Sequence, residues 1–194
     1  MNTKNLYIIA GPNGSGKTTF ALEFLPQHAK CPNFVNADLF AQAFAPFSPE
    51  RAALKAGKLL LKEIHRLADE GVDFAFETTL SGKAYVSFLR DLRRSKGYKI
   101  HLFFLWVPSV ELALLRIKQR VAKGGHDVPE ADVRRRLKRG VYNLFHVYRP
   151  LLDVWTLFDN STTKPYLVAK HEDGILKIFD QILFDKIVKG ANWR

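Results

Sequence analysis

The stretch Gly11-Pro12-Asn13-Gly14-Ser15-Gly16-Lys17-Thr18 decides the fold of this chain. It follows directly on the apolar run Leu6 to Ala10, which is typical of a buried strand, and a segment of helical character comes after it. Two glycines, a lysine and a threonine at this spacing, between a strand and a helix, form a complete phosphate-binding loop. The stretch therefore predicts a site for a nucleotide.

The residue types of the loop define the chemistry of that site. Its glycines let the backbone approach phosphate oxygens closely, and the N-terminus of the following helix favours negative charge. We expect Lys17 to lie in a solvent-facing loop and to add a positive charge, and the Thr18 hydroxyl can bind Mg²⁺. The sequence predicts ATP or GTP together with Mg²⁺ as cofactors, with Thr18 as the metal ligand. The predicted nucleotide-binding residues are Gly11, Pro12, Asn13, Gly14, Ser15, Gly16, Lys17, Thr18 and Thr19.

Outside the loop, apolar runs of strand length alternate with segments of helix length. Strands are predicted at residues 6–10, 34–36, 74–76, 98–107 and 154–158, and a hairpin at 166–170 and 175–179. Helices are predicted at residues 17–26, 39–45, 48–71, 82–95, 110–123, 129–139 and 180–188, the first of them ended by Pro26. This order predicts an α/β fold of the kind found in P-loop NTPases and kinases. Such a fold is a three-layer sandwich with a central, mostly parallel sheet, to which we add a helical lid and a C-terminal hairpin.

Length and composition place further bounds on the chain. A length of 194 residues predicts a single domain over residues 1–194. Cys31 is the only cysteine, so no internal disulfide can form. Apolar runs such as Leu102 to Val107 are too short to cross a bilayer, and Met1 to Asn5 is unlike a secretory signal. We expect a cytoplasmic protein without membrane contact.

The formal net charge of +11 is concentrated in one segment. Nine basic residues lie between Arg116 and Arg139, on both sides of a break at Gly124-Gly125-His126-Asp127-Val128-Pro129. The segment is compatible with a solvated helical face, with a nucleic-acid patch, or with arginines that close over phosphates. The phosphate-binding loop favours the third interpretation, and we predict a lid at about residues 120–140.

Polar residues follow the second and third predicted strands, where a parallel sheet binds its ligands. Asp38 is a candidate base for accepting the proton of an attacking hydroxyl, and its alternative role is the N-cap of the helix at 39–45. Glu77 is a candidate for orienting the substrate or, alternatively, for serving as the acidic residue beside the Mg²⁺ ion. Thr79 is either a substrate contact or a cap for the next helix.

Four motifs together resemble the zeta toxin family of small-molecule kinases and its stand-alone relatives. They are Gly11 to Thr18, Asn36-Ala37-Asp38-Leu39-Phe40, Phe76-Glu77-Thr78-Thr79, and Arg120 with the segment from Gly124 to Arg139. The resemblance implies an ATP- or GTP-dependent kinase acting on a sugar hydroxyl of UDP-N-acetylglucosamine or a related nucleotide sugar. Whether an antitoxin protein binds the chain is not determined by the sequence.

The resemblance also assigns roles to residues. Asp38 would be the base, Glu77 and Thr79 would contact the substrate, and Arg120 and Arg136 would clamp phosphates. Arg134, Arg135 and Arg139 compete with Arg136 for that role. Thr78 departs from the glycine that many zeta toxins have at this position, which leaves the identity of the sugar open.

Other functions compete with the kinase interpretation. The +11 charge favours a polynucleotide kinase or RNA-associated ATPase, but the sequence lacks the interleaved aromatic and basic residues of a stacking platform. A regulatory nucleotide-binding module without turnover would need neither Asp38, Glu77 nor the arginines. The label of a transporter-type (ABC-type) ATPase, given to some of the relatives, fails because no later apolar strand ends in Asp-Glu. Asp159-Asn160-Ser161 is interpreted as a turn or as a contact to the base or ribose.

Overall fold

The structure of the protein is a computed structural model that describes residues 3–45, 49–125 and 127–191. Ser48, the predicted start of the third helix, and His126, in the predicted lid, lie outside the described residues. Seven strands form one sheet, β1 Lys4–Ala10, β2 Phe34–Val35, β3 Phe74–Thr78, β4 Tyr98–Trp106, β5 Val154–Asp159, β6 Tyr166–Glu172 and β7 Ile175–Ile178. The helices are α1 Lys17–Phe24, α2 Ala37–Phe44, α3 Pro49–Glu70, α4 Val86–Ser95, α5 Val110–Val121, α6 Glu130–Asn143 and α7 Gln181–Ala191.

The strand order across the sheet is β2-β3-β1-β4-β5-β6-β7. Strands β1 to β5 are parallel, whereas β6 and β7 form an antiparallel hairpin at one edge. Strand β1 lies between β3 and β4, with Ile8 opposite both Phe76 and Leu102. The predicted α/β fold with a mostly parallel sheet and a C-terminal hairpin is confirmed. Its topology also puts the loop after β1 at the centre of the carboxyl edge.

Helices cover both faces of the sheet because side chains alternate along each strand. On one face, Leu6 and Ile8 of β1 pack in a large core that includes α3, α4 and α7. On the other face, Ile9 packs with Ala21 of α1. Full burial of an aliphatic or aromatic side chain contributes roughly 1.5–3 kcal/mol. The two apolar clusters therefore fix the sheet firmly beneath the loops at its carboxyl edge.

The predicted end of the first helix and the predicted start of the fourth helix are wrong. The first helix does not stop at Pro26, because a π-helical turn over Leu25–Ala29 follows α1 and accommodates the proline within its first turn. The fourth helix begins at Val86 rather than at residue 82, because bends and turns occupy residues 82–85. None of the helices within the described ranges is both long and apolar enough to cross a bilayer.

Candidate active site

The phosphate-binding loop, residues 11–18, turns sharply between β1 and α1. Gly14 has a φ of 77°, and a Cβ atom there would lie 2.4 Å from the Ala113 carbonyl oxygen of α5. Any larger residue would therefore strain the backbone and push α5 away from the loop. The Gly11 N–H donates to the Thr78 carbonyl at 3.3 Å and ties the loop to the end of β3.

A polar network around Glu77 fills the space beneath this loop. The Glu77 carboxylate accepts hydrogen bonds of 2.7 Å from the Thr18 hydroxyl and from Asn36 Nδ2. Lys17 Nζ lies 3.5 Å from Glu77 Oε1 and donates to the Pro12 carbonyl at 2.9 Å. The side chain of Lys17 is only 6% exposed, so the expectation of a solvent-facing position was wrong. Partners on every side fix the geometry of this carboxylate.

The pair formed by Thr18 and Glu77 fits a magnesium ion. Both side chains present oxygen atoms, the ligand type that Mg²⁺ prefers, and the two oxygens are 2.7 Å apart. Within residues 3–45, 49–125 and 127–191 there is no group of three or more His, Cys, Asp or Glu that could hold a metal. A Mg²⁺ here would thus take few ligands from the protein and the rest from phosphates and water, as is usual for this ion.

Asp38 lies in the first turn of α2 with an exposed side chain. The N-cap of this helix is Asn36, whose Oδ1 accepts from the N–H groups of Asp38 and Leu39. The alternative role of Asp38 as N-cap was wrong, because α2 begins at Ala37 and not at residue 39. Asn36 joins the helix to the site, since its amide nitrogen donates to Glu77. Asp38 is thus left without a capping role, two residues from this network.

Thr79 begins a strained turn after β3. Its hydroxyl is hydrogen bonded to that of Ser81 at 2.9 Å, and it caps no helix because α4 begins seven residues later. Leu80 has a φ of 56°, a conformation that costs a bulky residue about 1–3 kcal/mol. Burial of Leu80 and a 2.8 Å hydrogen bond from Asn143 Nδ2 of α6 to its carbonyl hold the turn in place. The turn that follows Glu77 and contains Thr79, two predicted site residues, is therefore held in a fixed conformation.

The structure distinguishes between the arginines of α6. Arg136 reaches the phosphate-binding loop, where its Nη1 donates to Asn13 Oδ1 at 3.0 Å, and it also pairs with Asp132. Arg134 pairs instead with Glu130 and Arg135 with Asp132, and both side chains are about half exposed. Of these three arginines Arg136 is the one that contacts the loop, and its role as a phosphate clamp stays a prediction.

A cavity of about 560 Å³ extends from the loop along α5, and its size is in the range of ligand sites. Arg120 lines it near the C-terminal end of α5, whereas Asp38, Thr79 and Arg136 are not among its lining residues. The segment between β5 and β6 contributes further lining residues. Residues that line the cavity include Gly16, Lys17, Thr18, Glu77, Arg116, Arg120, Gly124, Asn160, Thr162 and Pro165.

Two tyrosines, the partly buried Tyr85 and the fully buried Tyr148, lie behind the β3 end of the site. Burial raises the pKa of Tyr85, with a hydrogen bond to Thr78 acting in the opposite direction, and burial raises the pKa of Tyr148 to about 12. Tyr148 donates its hydroxyl proton to the Gly82 carbonyl at 2.8 Å. Both phenols stay neutral near pH 7, so neither can serve as the base of the site.

Sequence reasoning gave no specific role to Asn36 or Arg116, both of which the structure places here, and it left the role of Asn160 open. Asn36 precedes a helix and could have been recognised as its cap. Asn160 lies in the segment predicted as a turn or a ligand contact. Asn160 lies within such a turn, which hydrogen bonds from Ser161 to the Asp159 carboxylate close, and it also lines the cavity. Arg116 had no local signal, because its partners are carbonyls 44 or more residues away.

Comparison with known proteins identifies relatives in sequence. The AAA domain family (AAA_33) matches residues 6–140 of the chain. An uncharacterized protein of Haemophilus influenzae is 32% identical over 126 residues, which cover 65% of this chain and 87% of that protein.

Solved structures share the fold. The AvrRxo1-ORF1:-ORF2 structure with ATP has a TM-score of 0.81 at 20% identity, and it covers 98% of this chain. The chain spans 65% of the length of that protein. A structure of the PezAT chromosomal toxin-antitoxin system of Streptococcus pneumoniae has a TM-score of 0.65 at 16% identity, over 99% of this chain and 87% of that one. These likenesses establish a P-loop kinase-like fold.

Proposed function

We propose that this chain, which belongs to the AAA domain family, is a kinase that transfers the γ-phosphoryl group of ATP or GTP to a hydroxyl group of a small molecule. The observation that carries the proposal is the contact set of the loop. Lys17 and Thr18 meet the Glu77 carboxylate on one side, and Arg136 contacts Asn13 from another. Phosphoryl transfer depends chiefly on positioning and on stabilising negative charge, and these residues supply both.

In this proposal the loop, the two arginines and the metal ion have different tasks. The loop and Lys17 bind the β- and γ-phosphates. Arg120, at the end of α5, and Arg136, in α6, approach the transferring group from the predicted lid at about residues 120–140. Mg²⁺ held by Thr18 and the phosphates would neutralise charge on the phosphate oxygens. Glu77, hydrogen bonded to Thr18, is better suited to the metal side than to the substrate, which is the alternative that the sequence left open.

Asp38 is the proposed base of the reaction. Its carboxylate would accept the proton of the attacking hydroxyl while the bond from oxygen to the γ-phosphorus forms and the bond to the β–γ bridging oxygen breaks. Exposure at the N-terminal end of α2 makes it accessible to an acceptor. The polar network through Asn36 and Glu77 keeps this end of the helix beside the phosphate-binding loop.

We further propose that the acceptor is a nucleotide sugar such as UDP-N-acetylglucosamine. Support comes from the resemblance of the motifs around Asp38 and Glu77 to those of zeta toxins, and Thr79 would contact the acceptor. The family that matches the chain is the AAA domain family, so membership of the zeta toxin family stays a prediction.

The substitution Asp38→Asn tests the base directly. We expect phosphoryl transfer to slow by about 10² to 10⁴-fold, because the amide cannot accept the proton. Helix α2 should stay intact, since Asn36 provides its cap. Single-turnover rates with radiolabelled ATP measure the effect, and Asp91→Asn, an exposed position of α4, is the matched control. A rate in Asp38→Asn equal to that of the control would remove Asp38 from the mechanism.

A polynucleotide acceptor is the second candidate function, and the exposed basic residues of α6 are the observation in its favour. Arg134, Arg135, Lys138 and Arg139 all have exposed side chains. A protein that grips a nucleic acid through such residues loses affinity steeply with salt, with a logarithmic slope of about −0.7 to −0.9 for each phosphate contacted.

Salt titration separates the two candidates. We expect a shallow dependence of acceptor binding on salt, because a cavity for one small molecule contacts few phosphates and shields them. Binding of a UDP-sugar and of a DNA or RNA oligonucleotide would be measured by fluorescence anisotropy from 50 to 200 mM salt, about the range over which nucleic-acid affinities fall sharply. Steep dependence together with labelling of oligonucleotide 5′ ends would assign the chain to the polynucleotide class.

A further inference from the structure

We infer that Asn160 and Arg116 are positioning residues, which fix the peptide between Ser15 and Gly16 so that the Gly16 N–H faces bound phosphate. The inference rests on the nucleotide binding proposed above and extends it to two residues outside the loop motif. Three observations support it. They are the contact of Asn160 with the Ser15 carbonyl, the hold of Arg116 on the segment after β5, and the support that helix α5 gives to the loop.

The first observation is the contact between Asn160 and the loop. Asn160 Nδ2 donates to the Ser15 carbonyl at 2.7 Å, and the side chain is buried. The carbonyl and the N–H of a trans peptide point in opposite directions, so a Ser15 carbonyl held by Asn160 turns the Gly16 N–H away from Asn160. Without this bond the peptide could rotate and present an oxygen to the phosphates, where it would repel them.

Gly16 allows this close approach. Its φ is 83°, and a Cβ atom would lie 2.7 Å from Asn160 Nδ2. The second glycine of the phosphate-binding motif therefore serves a contact across the fold as well as a turn.

The second observation is how Arg116 holds the segment after β5. Its Nη1 donates to the Asn160 carbonyl at 2.7 Å, and its Nη2 donates to the carbonyls of Ser161 and Thr162 at 3.1 and 3.2 Å. A planar guanidinium can bind three carbonyls at once, which a lysine ammonium cannot do in the same geometry. Arg116 thereby fixes the backbone from which the Asn160 side chain projects.

The third observation is that α5 supports the loop at two points one turn apart. Its Ala113 carbonyl packs against Gly14, and Arg116, three residues later, holds Asn160 against Ser15. The conformation of the phosphate-binding loop thus depends on α5 and on the segment after β5.

Affinities for ATP and for inorganic tripolyphosphate, measured by isothermal titration calorimetry, test this inference. The substitution Asn160→Leu keeps the approximate shape of the side chain but removes the donor to Ser15. We expect it to weaken both affinities by about 10 to 100-fold, because it misaligns the hydrogen bond from the Gly16 N–H to the charged phosphate, and such bonds are among the stronger ones. Arg116→Lys should weaken them similarly, since the positive charge alone cannot bind three carbonyls. The matched control is Lys118→Ala, which removes an exposed lysine from α5, two residues from Arg116.

The possible results are distinct. Wild-type affinities in Asn160→Leu, or full retention of binding in Arg116→Lys, would overturn the positioning role. A lower melting temperature with unchanged affinities in the folded variants would also overturn it, because it would leave Asn160 a purely structural residue. If the wild-type chain bound neither ATP nor tripolyphosphate, the proposed function itself would fail, and the inference with it.

Discussion

Arg120→Ala and Arg136→Ala are each expected to slow phosphoryl transfer by about 10³ to 10⁵-fold, the range known for arginines that act on a transferring phosphoryl group. ATP affinity should fall much less, because such arginines act mainly on the charge distribution of the transition state. The two residues approach the site from different helices. Arg120 lines the cavity from α5, and Arg136 contacts Asn13 of the loop from α6.

Single-turnover rates and ATP dissociation constants, measured on the same variants, separate the two effects. Arg134→Ala is the matched control, because Arg134 lies on the same helix but pairs with Glu130 and has a half-exposed side chain. Small, equal losses of rate and affinity in Arg120→Ala and Arg136→Ala would show that these arginines contribute surface charge only. A large loss in Arg134→Ala would mean that the whole basic face of α6 takes part.

Lys17→Ala is expected to abolish nucleotide-dependent activity, with a loss of at least about 10³-fold when the charge next to the transferring phosphate is removed. Lys17 is buried and lies between the Glu77 carboxylate and the Pro12 carbonyl, so its ammonium is already held inside the loop. Without it Glu77 keeps hydrogen bonds from Thr18 and Asn36, so the variant should still fold.

Circular dichroism and thermal melting verify the fold of Lys17→Ala, and ATP binding and turnover measure the effect. The substitution Lys118→Ala removes an exposed lysine from α5 and serves as the control. Unchanged ATP affinity and turnover in a folded Lys17→Ala variant would contradict the assignment of residues 11–18 as a nucleotide site.

Local sequence patterns were sufficient for the parts of this site that are continuous in the chain. The loop at residues 11–18 is a single stretch, and Glu77 follows an apolar run in the predicted third strand, so the parallel sheet alone places it at the same edge. The seven strands were also predictable, because the central ones are strongly apolar and the hairpin turns at Gly174.

Features that depend on distant contacts were not predictable. The bond from Asn160 to Ser15 joins residues 145 positions apart, and neither residue carries a pattern that names its partner. Asn36 and Asp38 are both good N-caps two positions apart, and only the observed start of α2 at Ala37 decides between them. The buried Lys17 is paired with Glu77, which lies on a neighbouring strand and far away in the sequence.

Transfer of the γ-phosphoryl group from radiolabelled ATP to a panel of nucleotide sugars, nucleosides and oligonucleotides tests the central claim most directly. The account predicts label on a sugar hydroxyl of a nucleotide sugar, dependent on Mg²⁺, present with wild-type protein and absent with Lys17→Ala. Label found only on oligonucleotide ends, or released only as free phosphate with every acceptor, would contradict a small-molecule kinase.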